Sequence, residues 1–307
     1  MVEKQRFSIS SFGLKIIAIL MMTLDHIGIF LIERYATTSA QYFTGEIFRI
    51  FGRIAFPLFA LMLAEGMFHS KHKEKYLARL FLVYLGITLF QVITTYGLKG
   101  VAKVDINFQN PFTDLVLNGL VLYFLTRKNK LKILALIPAA ITIGMTALST
   151  YESLYSKTIY WLPLMFRSSY GIYGLLITLG FFYARPIAKF LLTKQSEDLG
   201  MSDETLVNSI LYSRLINIVS CVLFFTINVI FYVIKYYPEI GPRLDIIGMS
   251  YSYKHISGFQ SYAILAILPI MLYNGKRGYD SKFFRIFSYL YFPLHLIIIY
   301  LIFEFAL

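Results

Sequence analysis

The sequence has little charge and almost no cysteine. Only 15% of its 307 residues are charged, against about 25% in a typical soluble domain. Its single cysteine excludes an intrachain disulfide, and with it a small disulfide-stabilised scaffold. There is no Walker motif, no GxGxxG, no CxxC and no GxSxG, so none of the nucleotide, redox or hydrolase classes that carry these signatures is supported.

Apolar residues are abundant instead. They make up 57% of the chain, and aromatic residues make up 17%. A soluble protein of this size cannot bury so much apolar surface, and only helices or closed barrels span a membrane. The apolar runs are long and continuous, which predicts helices. We therefore predict an all-α, polytopic transmembrane helical bundle, with residues 1–307 forming one domain.

Apolar stretches of about 17–25 residues predict about nine spans, with eight to ten possible. The predicted spans are 13–33, 47–68, 77–97, 111–126, 131–150, 169–190, 214–236, 259–274 and 283–304. The apolar stretch 158–168 is too short to cross and is interpreted as re-entrant or interfacial. The polar segment 193–213 is predicted to be a loop with a short surface helix.

The lysines and arginines predict the orientation of the bundle. With the N-terminus in the cytoplasm, the inner segments carry most of the 29 basic residues, as the positive-inside rule requires. An odd number of spans then places the C-terminus outside. We interpret the net charge of +12 as this topology signal together with contact to the anionic lipid of the bilayer, and not as nucleic-acid binding.

Ionisable residues from three distant spans are predicted to share one depth. Asp25 and His26 lie in the first span, and His295 lies in the last. At 1.5 Å per residue, Asp25 and His295 are about 18 Å from the inner ends of their spans, and Arg53 is about 9 Å from the outer end of the second. In a core about 30 Å thick these levels nearly coincide. Arg49 lies one turn further along the face of Arg53.

Charges at this depth cost at least about 2.5 kcal/mol each, so a functional cluster is our main interpretation. Structural ion pairs, such as Asp25 with Arg53, are the alternative. The same residue types suit a proton or ion pathway, and they suit acyl transfer, in which a histidine accepts a proton and an arginine stabilises the oxyanion. Adjacent helix residues point about 100° apart, so Asp25 is expected to act on Arg53 or the substrate rather than on His26.

Other polar features give weaker signals. Glu65 is interpreted as a capping or interface carboxylate, or as part of a cofactor entrance. The basic segment after it contains Lys71, Lys73 and Arg79, and it is interpreted as a topology signal or as a site for an anionic ligand. Its two histidines are not predicted to bind a metal. Asp114 is interpreted as part of a substrate mouth or as an interfacial residue.

Several strings together resemble the TraX family. They are LKIIAILMMTLDHIGIF, FRIFGRIAFPLFALMLAEGMFHSKHKEKYLARL, SSYGIYG and YLYFPLHLIIIYLI. The likeness is dense over residues 14–80 and 283–300 and thin across 185–280. The two glycines of SSYGIYG are spaced for close helix packing more readily than for phosphate binding.

The resemblance implies an integral-membrane acetyltransferase of the bacterial plasma membrane, similar to a wider group of transmembrane acyltransferases. Its acyl donor is cytoplasmic acetyl-CoA, and its acceptor is an extracytoplasmic protein or glycan. The association of TraX with conjugation and pilin N-acetylation points to a pilin N-terminus. The expected catalytic residues are Asp25, His26, Arg53 and His295, with His26 the first candidate for the general base and His295 the second. The expected acetyl-CoA-binding residues are Arg49, Glu65, Lys71, Lys73 and Arg79.

Two other functions stay open from the sequence. A proton-coupled membrane transporter would use the same buried charges, and a purely structural membrane protein is a third possibility. The outer segments 98–112 and 238–258 are the expected specificity elements for an acceptor.

Overall fold

A computed structural model describes residues 8–99, 107–198, 205, 209–236 and 259–306. These residues are helical apart from loops and one isolated bridge between Ile9 and Tyr273. Within this described part of the chain, seven helical stretches are long and apolar enough to cross a membrane, and Pro111–Leu125 and Gln260–Met271 are shorter apolar helices. The prediction of an all-α polytopic bundle is confirmed.

The helices are numbered here in chain order. They are α1 Ser11–Phe30, α2 Ser39–Gly52, α3 Ala55–His69, α4 Lys73–Val92, α5 Pro111–Leu125, α6 Leu136–Tyr155, α7 Gly171–Asp198, α8 Ile210–Tyr236, α9 Ile267–Met271 and α10 Lys282–Leu301. Single π turns extend α1, α4 and α10, and 3₁₀ turns precede α6 and α9.

Local sequence sets several helix starts. The Ser10 hydroxyl accepts a hydrogen bond from the Gly13 amide at 3.3 Å, which caps α1. Thr38 and Gln41 form a capping box at the start of α2. Pro111 occupies the first position of α5, where its missing N–H costs nothing.

The second span differs from its prediction in two ways. It begins at Ser39 rather than 47, because the capping box starts a helix that hydropathy alone does not show. It is also interrupted between Gly52 and Ala55. Pro57 explains the interruption. In a continuous helix its ring would clash with the carbonyl of Arg53, and proline has no N–H to donate to that carbonyl.

The predicted loop at 193–213 is wrong at its beginning. Helix α7 continues to Asp198, because the sequence contains no glycine or proline between Pro186 and Gly200. Most of the remaining loop, and the predicted specificity segment 238–258, lie outside the described residues. The apolar stretch 158–168 contains only the short turn Leu164–Phe166 and does not cross, as predicted.

Helix α3 lies at the centre of the bundle, in contact with α1, α4, α5 and α7. Helix α1 lies very close to α2, because a Cβ on Gly28 would come within 2.7 Å of the Gly45 carbonyl oxygen. Small residues allow this approach in membrane bundles. Helix α10 contacts α1 and α4. These contacts arrange α1, α3, α4, α5 and α10 around one internal space.

Helices α1 and α10 begin at the same end of the bundle. The Ile9 amide donates to the Leu272 carbonyl at 2.7 Å, and the Asn274 amide donates to the Ile9 carbonyl at 2.9 Å. The rings of Phe12 and Phe284 lie 4.6 Å apart. The two helices run parallel from this end. At 1.5 Å per residue, His26 and His295 are each about 20 Å from the start of their own helix.

Candidate functional site

A buried ion cluster joins α1 to the end of α2. Asp25 is 9% exposed, and Arg49 and Arg53 are each 7% exposed. Arg49 Nη1 donates to Asp25 Oδ2 at 2.7 Å, and Arg53 Nη2 donates to Asp25 Oδ1. Arg53 Nη1 also donates to Gln260 Oε1 at 3.3 Å. Each carboxylate oxygen of Asp25 therefore accepts a hydrogen bond from a different guanidinium group, and such charge-assisted hydrogen bonds are strong.

Gly52 makes this cluster possible. A Cβ at that position would overlap the Asp25 carboxylate, so only glycine lets the backbone of α2 lie directly against Asp25. The depth predicted for Arg53 used the wrong start of its span. The ion pair with Asp25 nevertheless places Arg53 at the level of the first-span carboxylate.

His26 contacts His295 instead of Asp25. His26 Nδ1 lies 2.9 Å from the Met22 carbonyl oxygen and 3.2 Å from His295 Nε2. His295 Nδ1 lies 2.8 Å from the Tyr291 carbonyl oxygen. A carbonyl only accepts, so we assign the proton of each neutral ring to Nδ1. His295 Nε2 then accepts from His26, and His26 Nε2 keeps a lone pair.

Tyr291 holds His295 against α1. Its ring stacks on the His295 ring at a centroid distance of 5.1 Å and an angle of 3°. The Thr23 hydroxyl donates to the Ile19 carbonyl at 2.8 Å. The Tyr291 hydroxyl therefore donates to Thr23 Oγ1, at 2.7 Å. These contacts fix the position of one histidine relative to the other.

A cavity of about 70 Å³ lies beside the histidines. Its polar wall includes Asp25, His26 and His295, whereas Arg49 and Arg53 do not line it. Most of the wall is apolar, with Phe56, Phe59, Ile87, Phe112, Leu115 and Tyr170 among the lining residues. A space of this size holds a few water-sized groups, so it fits a short acyl group and not a complete coenzyme.

Asp114 does not line this cavity, and its contacts are structural. It is fully buried and accepts hydrogen bonds from the Ser168 hydroxyl and from the backbone amides of Ser169, Tyr170 and Gly171 at the start of α7. A carboxylate is favoured at a helix N-terminus. Asp114 therefore caps α7 from a neighbouring helix and does not form a substrate mouth.

The SSYGIYG segment presents Tyr170 to the cavity. The Tyr170 ring stacks on Phe56 at a centroid distance of 3.6 Å. A Cβ on Gly174 would lie 2.7 Å from the Tyr170 Cβ and 2.9 Å from the Phe56 ring. Gly174 thus makes room for the stacked rings, in agreement with the packing interpretation of this motif.

The structure separates the residues predicted to bind acetyl-CoA. Arg49 belongs to the Asp25 cluster. Glu65 lies near the other end of α3, where its oxygens accept from Arg185 Nη2 at 2.8 and 2.7 Å. Lys71 and Arg79 are exposed and Lys73 is half-buried. Of these residues, those after α3 are the ones open to a ligand from the aqueous side.

Glu65 ties several helices together at the end where α1 begins. His69 Nε2 lies 3.4 Å from its carboxylate, and the Tyr273 hydroxyl donates to Glu65 Oε2 at 3.4 Å. Among the described residues, no group of three His, Cys, Asp or Glu side chains could hold a metal ion.

Three contributors to the site were not predicted from the sequence: Tyr170, Gln260 and Tyr291. Gln260 is fully buried, but it is the second residue of the predicted span 259–274, at the membrane edge, where a polar side chain gives no signal. Tyrosine is common in this chain, with 24 copies, so neither tyrosine stood out.

The fold and the site together define a multi-pass membrane protein with a buried polar site beside a small cavity. The predicted bacterial inner membrane is consistent with this class. The TraX protein family model matches residues 10–193, which is more than half of the chain. The chain belongs to the TraX family.

One curated relative provides a shorter match. It is the probable fimbrial assembly protein FimC of serogroup H1 from Dichelobacter nodosus, 42% identical over 71 residues. The match covers 23% of this chain and 27% of the relative, so the chain spans about a quarter of the length of that protein. No solved structure matches the chain.

Proposed function

We propose that this TraX family protein is a membrane acyltransferase that moves an acetyl group from cytoplasmic acetyl-CoA to an extracytoplasmic or membrane-embedded acceptor. The observation that carries the proposal is the His26–His295 pair at the wall of a cavity that fits a short acyl group. The acetyl group and acetyl-CoA come from the family resemblance.

His26 is the general base in this proposal. Its Nδ1–H is shared between the Met22 carbonyl and His295, which leaves Nε2 to remove a proton from the acceptor amine or hydroxyl. His295 is a positioning residue, because its own basic nitrogen accepts from His26 and stabilises the imidazolium that forms. This is the orienting role that a carboxylate has in a hydrolase triad.

Asp25 acts separately from the histidine pair. It lines the cavity, and Arg49 and Arg53 hold both of its oxygens. We propose that Asp25 orients the substrate in the cavity. The two arginines keep the carboxylate in place and lower the cost of its burial.

The acyl donor approaches from the predicted cytoplasmic side. Lys71, Lys73 and Arg79 offer positive charge to the phosphate groups of acetyl-CoA. Glu65 is already paired with Arg185, so its part in the proposal is to hold the bundle together at the entrance, without contact to the coenzyme.

The acceptor is an amine or a hydroxyl of the cell envelope. The relative from Dichelobacter nodosus is named as a fimbrial assembly protein, which supports the terminal amine of a pilus subunit. An envelope glycan has the same chemistry. The transporter alternative has less support from Asp25, because arginines hold both of its oxygens and a nearby positive charge favours the carboxylate over its protonated form.

Comparison of envelopes from cells with and without the gene tests the proposal. Mass spectrometry of surface peptides and glycans is expected to show an acetyl group that depends on the gene, on one class of acceptor. Complementation with the intact gene restores it. Identical acetylation in both strains, together with proton flux through the purified protein in a pH gradient, would favour the transporter.

A further inference from the structure

Tyr170 has an unusual position for a tyrosine inside a membrane bundle. It is 9% exposed and lines the cavity that also contains His26. It lies within electrostatic range of Asp25, Arg49 and Arg53. Among the described residues, its hydroxyl makes no hydrogen bond, although a buried tyrosine hydroxyl usually finds a partner.

Three separate features fix this side chain. The Tyr170 amide donates a hydrogen bond to Asp114 Oδ1 at 3.1 Å. The Phe56 ring stacks on the Tyr170 ring, and Gly174 leaves the space that the Tyr170 ring needs. The SSYGIYG segment thus positions a phenol with a free donor at the wall of the cavity. Packing alone would be satisfied by phenylalanine.

We propose that the Tyr170 hydroxyl donates a hydrogen bond to the carbonyl oxygen of the acyl group during transfer. This inference rests on the proposed function. The sequence suggests that Arg53 either has this role or holds Asp25. Arg53 does not line the cavity, and its two terminal nitrogens donate to Asp25 and Gln260.

The transfer step needs only the acceptor, the thioester, His26 and Tyr170. The acceptor amine or hydroxyl attacks the thioester carbon while His26 Nε2 removes its proton. The carbonyl π electrons move to the oxygen, and the Tyr170 hydroxyl stabilises this oxyanion. Collapse of the intermediate breaks the carbon–sulfur bond, and the departing CoA thiolate takes the proton back from His26.

The test compares Tyr170→Phe with Tyr173→Phe in proteoliposomes, using acetyl-CoA labelled in the acetyl group and an envelope fraction from cells that lack the protein. Tyr170→Phe keeps the stacked ring, and we expect kcat to fall about 10²–10³-fold with KM for acetyl-CoA within about threefold. Tyr173, in the same motif, donates to Asn228 Oδ1 at 2.8 Å and does not line the cavity. Tyr173→Phe should keep its kcat.

Placing 4-aminophenylalanine at position 170 restores a donor and should recover part of the lost rate, which a merely structural role would not produce. Wild-type kcat in folded Tyr170→Phe overturns the inference, and so does a loss that the amino group fails to recover. If Tyr170→Phe does not fold, the protein with 4-aminophenylalanine at position 170 decides alone: measurable transfer supports the inference, and no transfer by the folded protein overturns it. Transfer that is lost in His26→Ala but normal in Tyr170→Phe removes only this inference. Absence of transfer in the wild type removes the proposed function as well.

Discussion

At the scale of single residues, Gly52 decides whether the ion cluster forms. Gly52→Ala places a methyl group on the Asp25 carboxylate, so the pair with Arg53 must separate inside the bundle. Breaking a buried pair costs about 3–5 kcal/mol, and we expect a loss of this order in the free energy of unfolding measured in mixed micelles.

Gly144→Ala is the matched control, because a Cβ at Gly144, within α6, meets no atom within 4 Å. Its effect should stay within about 1 kcal/mol, the ordinary difference between glycine and alanine in a helix. Equal stability of the two variants would contradict the close approach of α2 to Asp25.

Residue-scale prediction from the sequence was partial. The costly charges Asp25, Arg53 and His295 were identified because lipid penalises them wherever they lie. The partner of His26 was not, since hydropathy gives the depth of a residue but not the rotation of its helix. The choice between two neighbouring residues, Asp25 and His26, depends on that rotation.

At the scale of elements, α7 depends on a carboxylate from α5. Asp114→Ala would leave the Ser168 hydroxyl and the amides of Ser169 and Tyr170 without their acceptor, whereas the Gly171 amide would keep Ser168 Oγ. We expect the free energy of unfolding to fall by at least about 2 kcal/mol, with Asp114→Asn falling less because its amide oxygen still accepts. Wild-type stability of Asp114→Ala, combined with weaker use of the envelope acceptor, would return Asp114 to a substrate mouth.

Most helices were predictable as elements because their apolar runs exceed the width of the bilayer. The start of α2 was missed because a capping box, and not hydropathy, sets it. The break before α3 was also missed, although Pro57 marks it locally. That break matters for the site, because Arg53 lies within it.

At the scale of the whole molecule, the distribution of positive charge predicts an inner N-terminus and an outer C-terminus. Lys128 and Tyr160 are exposed and lie on opposite predicted sides of the membrane. Each can be replaced by a single cysteine, Lys128→Cys or Tyr160→Cys, in a Cys221→Ser background. An impermeant thiol reagent added to sealed right-side-out vesicles should label position 160 and leave 128 unlabelled until the vesicles are opened. Labelling of 128 alone would reverse the assigned orientation and the predicted entrance for acetyl-CoA.

The central claim is that the paired histidines form an acyl-transfer site, and transfer of labelled acetyl groups by purified protein in proteoliposomes tests it most directly. With acetyl-CoA and an envelope fraction from cells lacking the protein, the wild type and the control variant Gly144→Ala, whose added Cβ meets no atom within 4 Å, should label an envelope component. His26→Ala should be at least about 10²-fold slower while folding and binding acetyl-CoA normally. A folded His26→Ala protein that transfers acetyl groups at the wild-type rate would contradict the account.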